Sequence, residues 1–235
     1  MKACVIVPTY NERETVRTLV ERIEGASPAD VEILFVDDSS PDGTADEIKM
    51  VATNDARVHL LLRPSKKGIG SAYLEGFREA TTKIGAEMVI EMDADLQHPA
   101  TMLRELISAV EAGADVVVAS RYMEGGGIEG WSLWRRTVSR GANWLSRSVL
   151  GLPVADCTSG FRAIRASYAE SLVKAALPNP GYSFQVASLY RLKREGAKMV
   201  EVPFVFGTRR SGRSKLGWGE IFRFFLSIIK LRLSG

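Results

Sequence analysis

The chain has 235 residues, of which 46% are hydrophobic and 25% charged, and its formal net charge is +3. These values suit a globular protein of one large or two small α/β domains and give no reason to expect nucleic acid as a partner. No run approaches the roughly 20 apolar residues that cross a bilayer, and the opening MKACVIVPTYNE turns polar too early for a secretory leader.

The first half alternates. CVIV (residues 4–7) is a short apolar run closed by Pro8. A helix follows, with Asn11 as its expected N-cap and Val16, Leu19, Val20 and Ile23 on one face. VEILFV (31–36) predicts a second strand, ended by the acidic turn DDSSPDG. VHLLL (58–62), EMVIEM (87–92) and DVVVAS (115–120) predict three more, and helical patterns cover 45–51, 71–84 and 101–112. Strand and helix in alternation predict a mostly parallel, Rossmann-like sheet with helices on both faces. Ligands of such sheets bind at the carboxyl ends of the strands. PTYNE, DDSSPDG and DADLQHP each follow a strand, so all three are expected along one rim.

After Ser120 the character changes. The triplet Gly125 to Gly127 reads as a flexible joint. WSLWRRTVSRGANWLSRSVLG predicts an amphipathic helix, with Trp131, Trp134, Val138, Leu145 and Val149 at helical spacing and Arg136, Arg140 and Arg147 on another face. GFRAI predicts a short strand, YSFQVASLYRLKREG a helix ending at Gly196, and KMVEVPFVF a strand. Basic residues crowd TRRSGRSK, and residues 221–233 form an apolar tail carrying Arg223, Lys230 and Arg232. At 13 residues that tail is too short to span a bilayer. It suits either an interfacial helix or a stripe packed on the sheet, as does the tryptophan helix. With no repeat or linker, the expectation is a single domain over 1–235. Within it, the expected parts are 1–122, 123–217 and an amphipathic interface helix over 218–235.

Asp93 and Asp95 stand one residue apart after an apolar strand. Carboxylates in that position repel each other, and oxygen ligands select hard cations such as Mg²⁺ or Mn²⁺. Gln97 offers an amide oxygen nearby. The competing reading is a solvated acidic turn or a helix start before Pro99. His98 is expected to support the turn, not to ligate. Gly68 and Gly70 fall short of a dinucleotide loop because Tyr73 stands where the third glycine would be. Cys4 and Cys157 match no C-x-x-C or zinc spacing and read as buried thiols of a reducing compartment.

VIVPTYNE, VDDSSPDGT, DADLQHP and SGFR, in this order, resemble glycosyltransferase family 2, the inverting GT-A enzymes. SRY, RRTVSRGAN, DCTSGFR and RRSGRSK narrow the resemblance to polyprenyl-phosphate (dolichyl-phosphate) mannose synthases, from Val5 to about Lys215. The resemblance implies a GT-A fold and transfer of mannose from GDP-mannose to a polyprenyl phosphate, with UDP-sugar donors or hydroxyl acceptors as alternatives. By position it places Pro8, Tyr10, Glu12 and Asp38 in the nucleotide pocket, with Val36 and Ala94 as further substrate-binding candidates. It places Asp93, Asp95 and Gln97 at the metal and diphosphate, and Arg121, Arg135 and Ser139 at the acceptor phosphate. Arg209 and Lys215 would close over the donor diphosphate. Asp95, Arg121 and Asp156 are its catalytic candidates, with Asp156 open to a role as base. It further implies a cytoplasmic protein, peripheral on the cytoplasmic membrane face, with a separate anchoring domain or subunit in some relatives.

Overall fold

The computed structural model describes residues 1–26, 31–175, 177, 183–207 and 218–233. The five predicted strands of the first half form as β1 (Ala3–Thr9), β2 (Val31–Asp37), β3 (Val58–Leu62), β4 (Met88–Glu91) and β5 (Val116–Ser120). Between them run α1 (Val16–Ala26), α2 (Thr44–Asn54), α3 (Ile69–Glu79) and α4 (Leu103–Glu111), with a π-helical turn at Ala80–Ile84 extending α3. The second half adds β6 (Gly127–Ile128), α5 (Leu133–Leu150), β7 (Arg162–Arg165), α6 (Ala166–Lys174), α7 (Ser183–Arg194), β8 (Met199–Pro203), β9 (Val205–Phe206) and α8 (Trp218–Leu233).

One sheet has the order β3-β2-β1-β4-β7-β5-β8. All its pairings are parallel except those of β7, which runs antiparallel to β4 and β5. Both faces are covered, so β1, β2, β4 and β5 are largely apolar runs with no polar alternation. On β1, Val5 and Val7 join the core on one face, beside Leu19 and Ile23 of α1. Cys4 and Ile6 join the other, beside Tyr73 and Phe77 of α3. The chain winds outward from β1 through β2 to β3 and then returns to place β4 on the other side of β1. That reversal opens a crevice at the carboxyl ends of β1 and β4, the usual ligand position in such sheets.

Several local expectations are corrected. Asn11 is not the N-cap of α1, which starts five residues later at Val16; Asn11 has φ 61° and belongs to the preceding loop. Trp131 precedes α5, whose cap is Ser132, the hydroxyl accepting from Arg135 N. The glycine triplet is a close-packed corner: a Cβ on Gly126 would lie 2.5 Å from the Ser120 carbonyl oxygen. KMVEVPFVF divides at Phe204, its first part pairing with β5 and its last two residues with β6. The tail both packs and remains exposed. Phe224, Ile228 and Leu231 of α8 meet the core, while Phe222, Phe225, Leu226, Ile229 and Leu233 face outward. No helix among the described residues is long and apolar enough to cross a membrane. Cys4 and Cys157 are free and buried. Burial raises both thiols, Cys157 to about 12, and leaves them unreactive at neutral pH.

Gly76 sets how closely α3 approaches the sheet. A Cβ there would meet Ile6 Cγ2 at 2.5 Å and Val36 Cγ2 at 3.1 Å. Glycine to alanine inside a helix ordinarily stabilises by about 1 kcal/mol. Here Gly76→Ala is expected to destabilise by about 1–3 kcal/mol through overpacking. Urea unfolding checks this, and a stabilised variant would contradict the packing.

Candidate active site

Three loops meet at the crevice, and each contains one non-glycine residue with positive φ: Asn11 (61°), Ser39 (54°) and Leu96 (64°). Such conformations are costly and persist only where surrounding bonds fix them. Asp37 supplies many of those bonds. Fully buried at the end of β2, it accepts from Thr9 Oγ1 (2.9 Å), Ser40 N (2.9 Å) and Ser40 Oγ (2.6 Å). Ser40 Oγ in turn accepts from Asn11 N at 3.0 Å, which ties PTYNE to DDSSPDG. Asp42 fixes the far side of the turn, accepting from Thr44 N, Thr44 Oγ1 and Arg13 N.

Of the nucleotide-pocket candidates, Tyr10 is exposed, with Lys66 Nζ 3.8 Å above its ring centre. Asp38 is nearly buried, 2.9 Å from Arg63 Nη1. Burial pushes its carboxyl up, against the pull of Arg63 and Lys66. Arg63 is itself buried and also meets Ser71 Oγ and Glu75. Pro8 and Glu12 are half-buried at the same rim, with Glu12 N bonded to Thr44 Oγ1. Val36 does not face the rim: its side chain is fully buried in the core under α3, so only its backbone is available to a ligand.

The acidic turn follows β4. The Asp93 side chain is 38% exposed, Asp95 is half-buried and Ala94 between them is buried. His98 holds the turn from below. Its Nδ1 accepts from Asp93 N at 3.0 Å, which assigns the ring proton to Nε2, 3.8 Å from Asp93 Oδ2. The ring stacks on Phe161 (4.8 Å), and burial lowers its pKa to about 4. Neutral and committed to a backbone donor, His98 supports the turn without adding positive charge to it. Tyr73 OH donates to Asp93 Oδ1 at 3.4 Å, and Gln97 N to Asp95 Oδ1 at 3.1 Å. The Gln97 side chain is buried and donates its Nε2 to Gly207 O at 2.8 Å. It anchors the segment after β9, and the two aspartates are left as the principal oxygen donors. A partly open pair of carboxylates, with the nearby His98 Nε2 carrying the ring proton, fits Mg²⁺ or Mn²⁺ better than zinc.

Below the turn, Glu91 and Arg162 are cross-strand partners of β4 and β7, both fully buried. Burial raises Glu91 to about 7 against the attraction of Arg162. Arg162 donates to Cys157 O, Gln185 O and Ser188 Oγ and so binds DCTSGFR to α7.

Beside the turn lie the acceptor candidates. Arg121 and Asp156 form a buried pair: Nε to Oδ2 at 2.6 Å, Nη2 to Oδ1 at 2.7 Å and Arg121 N to Oδ2 at 3.0 Å. Burial is the largest single influence and would raise Asp156, but the hydrogen bonds and charge of Arg121 and the bond from Thr158 together outweigh it and hold the carboxyl below its usual range. Asp156 is therefore placed as the partner that orients Arg121. Its engaged, inaccessible oxygens do not suit a base. The Nη1 edge of Arg121 points away from that pair. The Trp131 ring has Arg121 Cζ at 5.3 Å and Arg135 Cζ at 3.8 Å from its centre, so both guanidiniums border one indole. Ser139 lies one turn along α5 from Arg135, and Asn143 one further turn on, bonded to Ser139 O and Thr158 Oγ1. Phe206 packs edge-on against both Trp131 and His98, which joins this group to the acidic turn. Arg209 and Lys215 lie outside the described residues.

Sequence reading missed Asp37, Arg63, Asn143 and Glu201 as organisers of the site. Glu201 accepts from Ala155 N and Asp156 N and so positions the Asp156 loop. The available signal was a lone acid inside an otherwise apolar strand, MVEVP.

The glycosyl transferase family 2 model matches residues 4–173. The polyprenol monophosphomannose synthase of Mycolicibacterium smegmatis is 43% identical over 94% of this chain and 83% of its own length. The dolichol-phosphate mannosyltransferase of Pyrococcus furiosus is 38% identical over 98% of this chain, which spans 64% of that longer protein. Among solved structures, a mannosyltransferase from Pyrobaculum calidifontis in complex with GDP-Man and Mn²⁺ superposes with a TM-score of 0.69. It is 18% identical, over 100% of this chain and 64% of that one, and the likeness is one of fold.

Removing one member of a buried ion pair strands the other, at about 3–5 kcal/mol. Arg121→Ala and Asp156→Ala are each expected to lose that much in urea unfolding, and the double variant less than the sum. Because the Asp156 pKa is depressed by folding, its contribution is complete above the unfolded value near 4 and is lost as pH falls through the folded one. Additive losses would show that the pair is not coupled.

Proposed function

Because the chain belongs to glycosyl transferase family 2, we propose that it is an inverting enzyme that transfers mannose from GDP-mannose to a polyprenyl monophosphate. The products are GDP and polyprenyl-phosphate mannose. The observation that carries this reading is the position of Asp93 and Asp95, at the crevice between the nucleotide-side loops and the arginine pair around Trp131. The names of the Mycolicibacterium and Pyrococcus relatives support the acceptor class.

Tyr10 offers a ring to the base, and Asp38 a carboxylate to the nucleoside. Asp93 and Asp95 hold the divalent cation, and Arg209 and Lys215 add fixed positive charge at the diphosphate. A bound Mg²⁺ or Mn²⁺ supplies Lewis-acid stabilisation of the charge that builds on the departing diphosphate. Arg121, oriented by Asp156, and Arg135 with Ser139 cradle the acceptor phosphate. A phosphate monoester has a second pKa near about 6 and is already mostly dianionic at neutral pH, so it needs cations more than a base. The engagement of Asp156 with Arg121 favours such an acceptor over a hydroxyl. Residues 1–122, the nucleotide-binding half, mainly serve the donor and 123–217, the acceptor-binding half, mainly the acceptor, with Arg121 and with Arg209 and Lys215 crossing that division within one domain.

The exposed apolar face of α8 suits a helix lying in the membrane interface, with Leu133, Trp134 and Trp144 of α5 alongside. On this reading the enzyme is peripheral, on the cytoplasmic face where sugar nucleotides are available.

Incubation with a panel of labelled sugar nucleotides, Mg²⁺ or Mn²⁺ and polyprenyl phosphate, followed by lipid extraction, tests the assignment. Mannose from GDP-mannose is expected in the lipid phase, and preferential labelling from a UDP-sugar would overturn the donor. Asp95→Ala is expected to lower turnover a hundredfold or more, by about 3 kcal/mol of barrier. Phe225→Ser with Leu226→Ser is expected to weaken vesicle flotation while sparing transfer to a short, detergent-dispersed acceptor.

A further inference from the structure

A second basic site lies on a different face of α5. A cavity of about 500 Å³ is lined by Tyr122, Arg140, Asn143, Trp144 and Arg147, with Leu152 at its floor. Arg140, Trp144 and Arg147 are spaced four and three residues apart and share one helix face. Arg135 and Ser139 of the acceptor cradle lie on another. Among the described residues no carboxylate lines the cavity. The Tyr122 hydroxyl is buried without a hydrogen-bond partner among the described residues. Trp144 is 69% exposed, and Arg140 and Arg147 are exposed beside it. Two cations and an exposed indole around one hollow are the chemistry of an anion that arrives with a greasy body.

We propose that this cavity binds the phosphodiester headgroup of an anionic phospholipid of the bilayer, with Arg140 and Arg147 on the phosphate and Trp144 at the headgroup level. The proposal rests on the membrane reading of α5 and α8 given above. Arginine forks match phosphate oxygens, and tryptophan concentrates at the membrane–water boundary. α8 packs against α5 and carries its own exposed apolar face, so a headgroup here would fix how the protein sits on the bilayer. The site would couple the enzyme to membrane charge without taking part in transfer.

Vesicles of phosphatidylcholine, with or without phosphatidylglycerol, test this by flotation at fixed ionic strength. The full chain is expected to prefer the anionic vesicles. Arg140→Gln with Arg147→Gln is expected to weaken that binding about thirtyfold, to leave binding to phosphatidylcholine unchanged, and to leave transfer to a short polyprenyl phosphate in detergent unchanged. Retained affinity for anionic vesicles would overturn the proposal. So would an equal loss in Lys49→Gln with Lys83→Gln, which removes the same charge far from the cavity. Reduced transfer in detergent would instead assign the cavity to the acceptor and also overturn it. If the parent chain binds both vesicles equally, and loses both with Phe225→Ser and Leu226→Ser, the membrane reading stands and the headgroup site falls. If the parent binds neither vesicle, both fall.

Discussion

Two carboxylates one residue apart at the end of a buried strand repel each other, and holding them there is the constraint around which the site is built. Near a protein surface, like charges about 4 Å apart repel by several kcal/mol. The side chain closest beneath the turn that could supply charge, His98, is held neutral by burial and by accepting from Asp93 N. Tyr73 and the Gln97 backbone offer only neutral hydrogen bonds. Asp93 and Asp95 form a partly open acidic pair, while buried Asp156 beside them is held by Arg121 and buried Glu91 lies across the sheet from Arg162.

Holding charges in this way requires rigid loops. The strain of Asn11, Ser39 and Leu96 falls one residue to each rim loop, and each loop is tied by bonds that cross to another element. Asp37 links two loops through Ser40, His98 and Phe206 tie the acidic turn to Trp131, and Glu201 and Asn143 hold the Asp156 loop against the sheet and α5. Packing supports this from below, since the close approach of α3 at Gly76 seats Tyr73 under Asp93.

The parallel strands of the first half were legible because a sheet covered on both faces demands uninterrupted apolar runs, and those runs are plain in VEILFV and VHLLL. The paired aspartates were legible because they break such a run. The antiparallel insertion of β7 was not, because GFRAI carries no mark of direction. The N-cap of α1 was misplaced because Asn is equally suited to a cap and to a left-handed turn, and here the bond to Ser40 selects the turn. The partnership of Arg121 with Asp156 joins residues 35 apart in sequence, and no periodicity encodes it. Val36 reads as part of a site motif in VDDSSPDGT, yet strand alternation turns its side chain into the core.

On the proposed reading, a donor held by metal-bound carboxylates and an acceptor held by arginines make a site that works by placing charge, with little demand for proton transfer. Mn²⁺ uptake followed by electron paramagnetic resonance in the presence of GDP tests that most directly. The account predicts a bound-metal signal for the parent chain that disappears in Asp93→Asn with Asp95→Asn, with the fold retained by circular dichroism. An undiminished signal in that variant, or none in the parent, would contradict it.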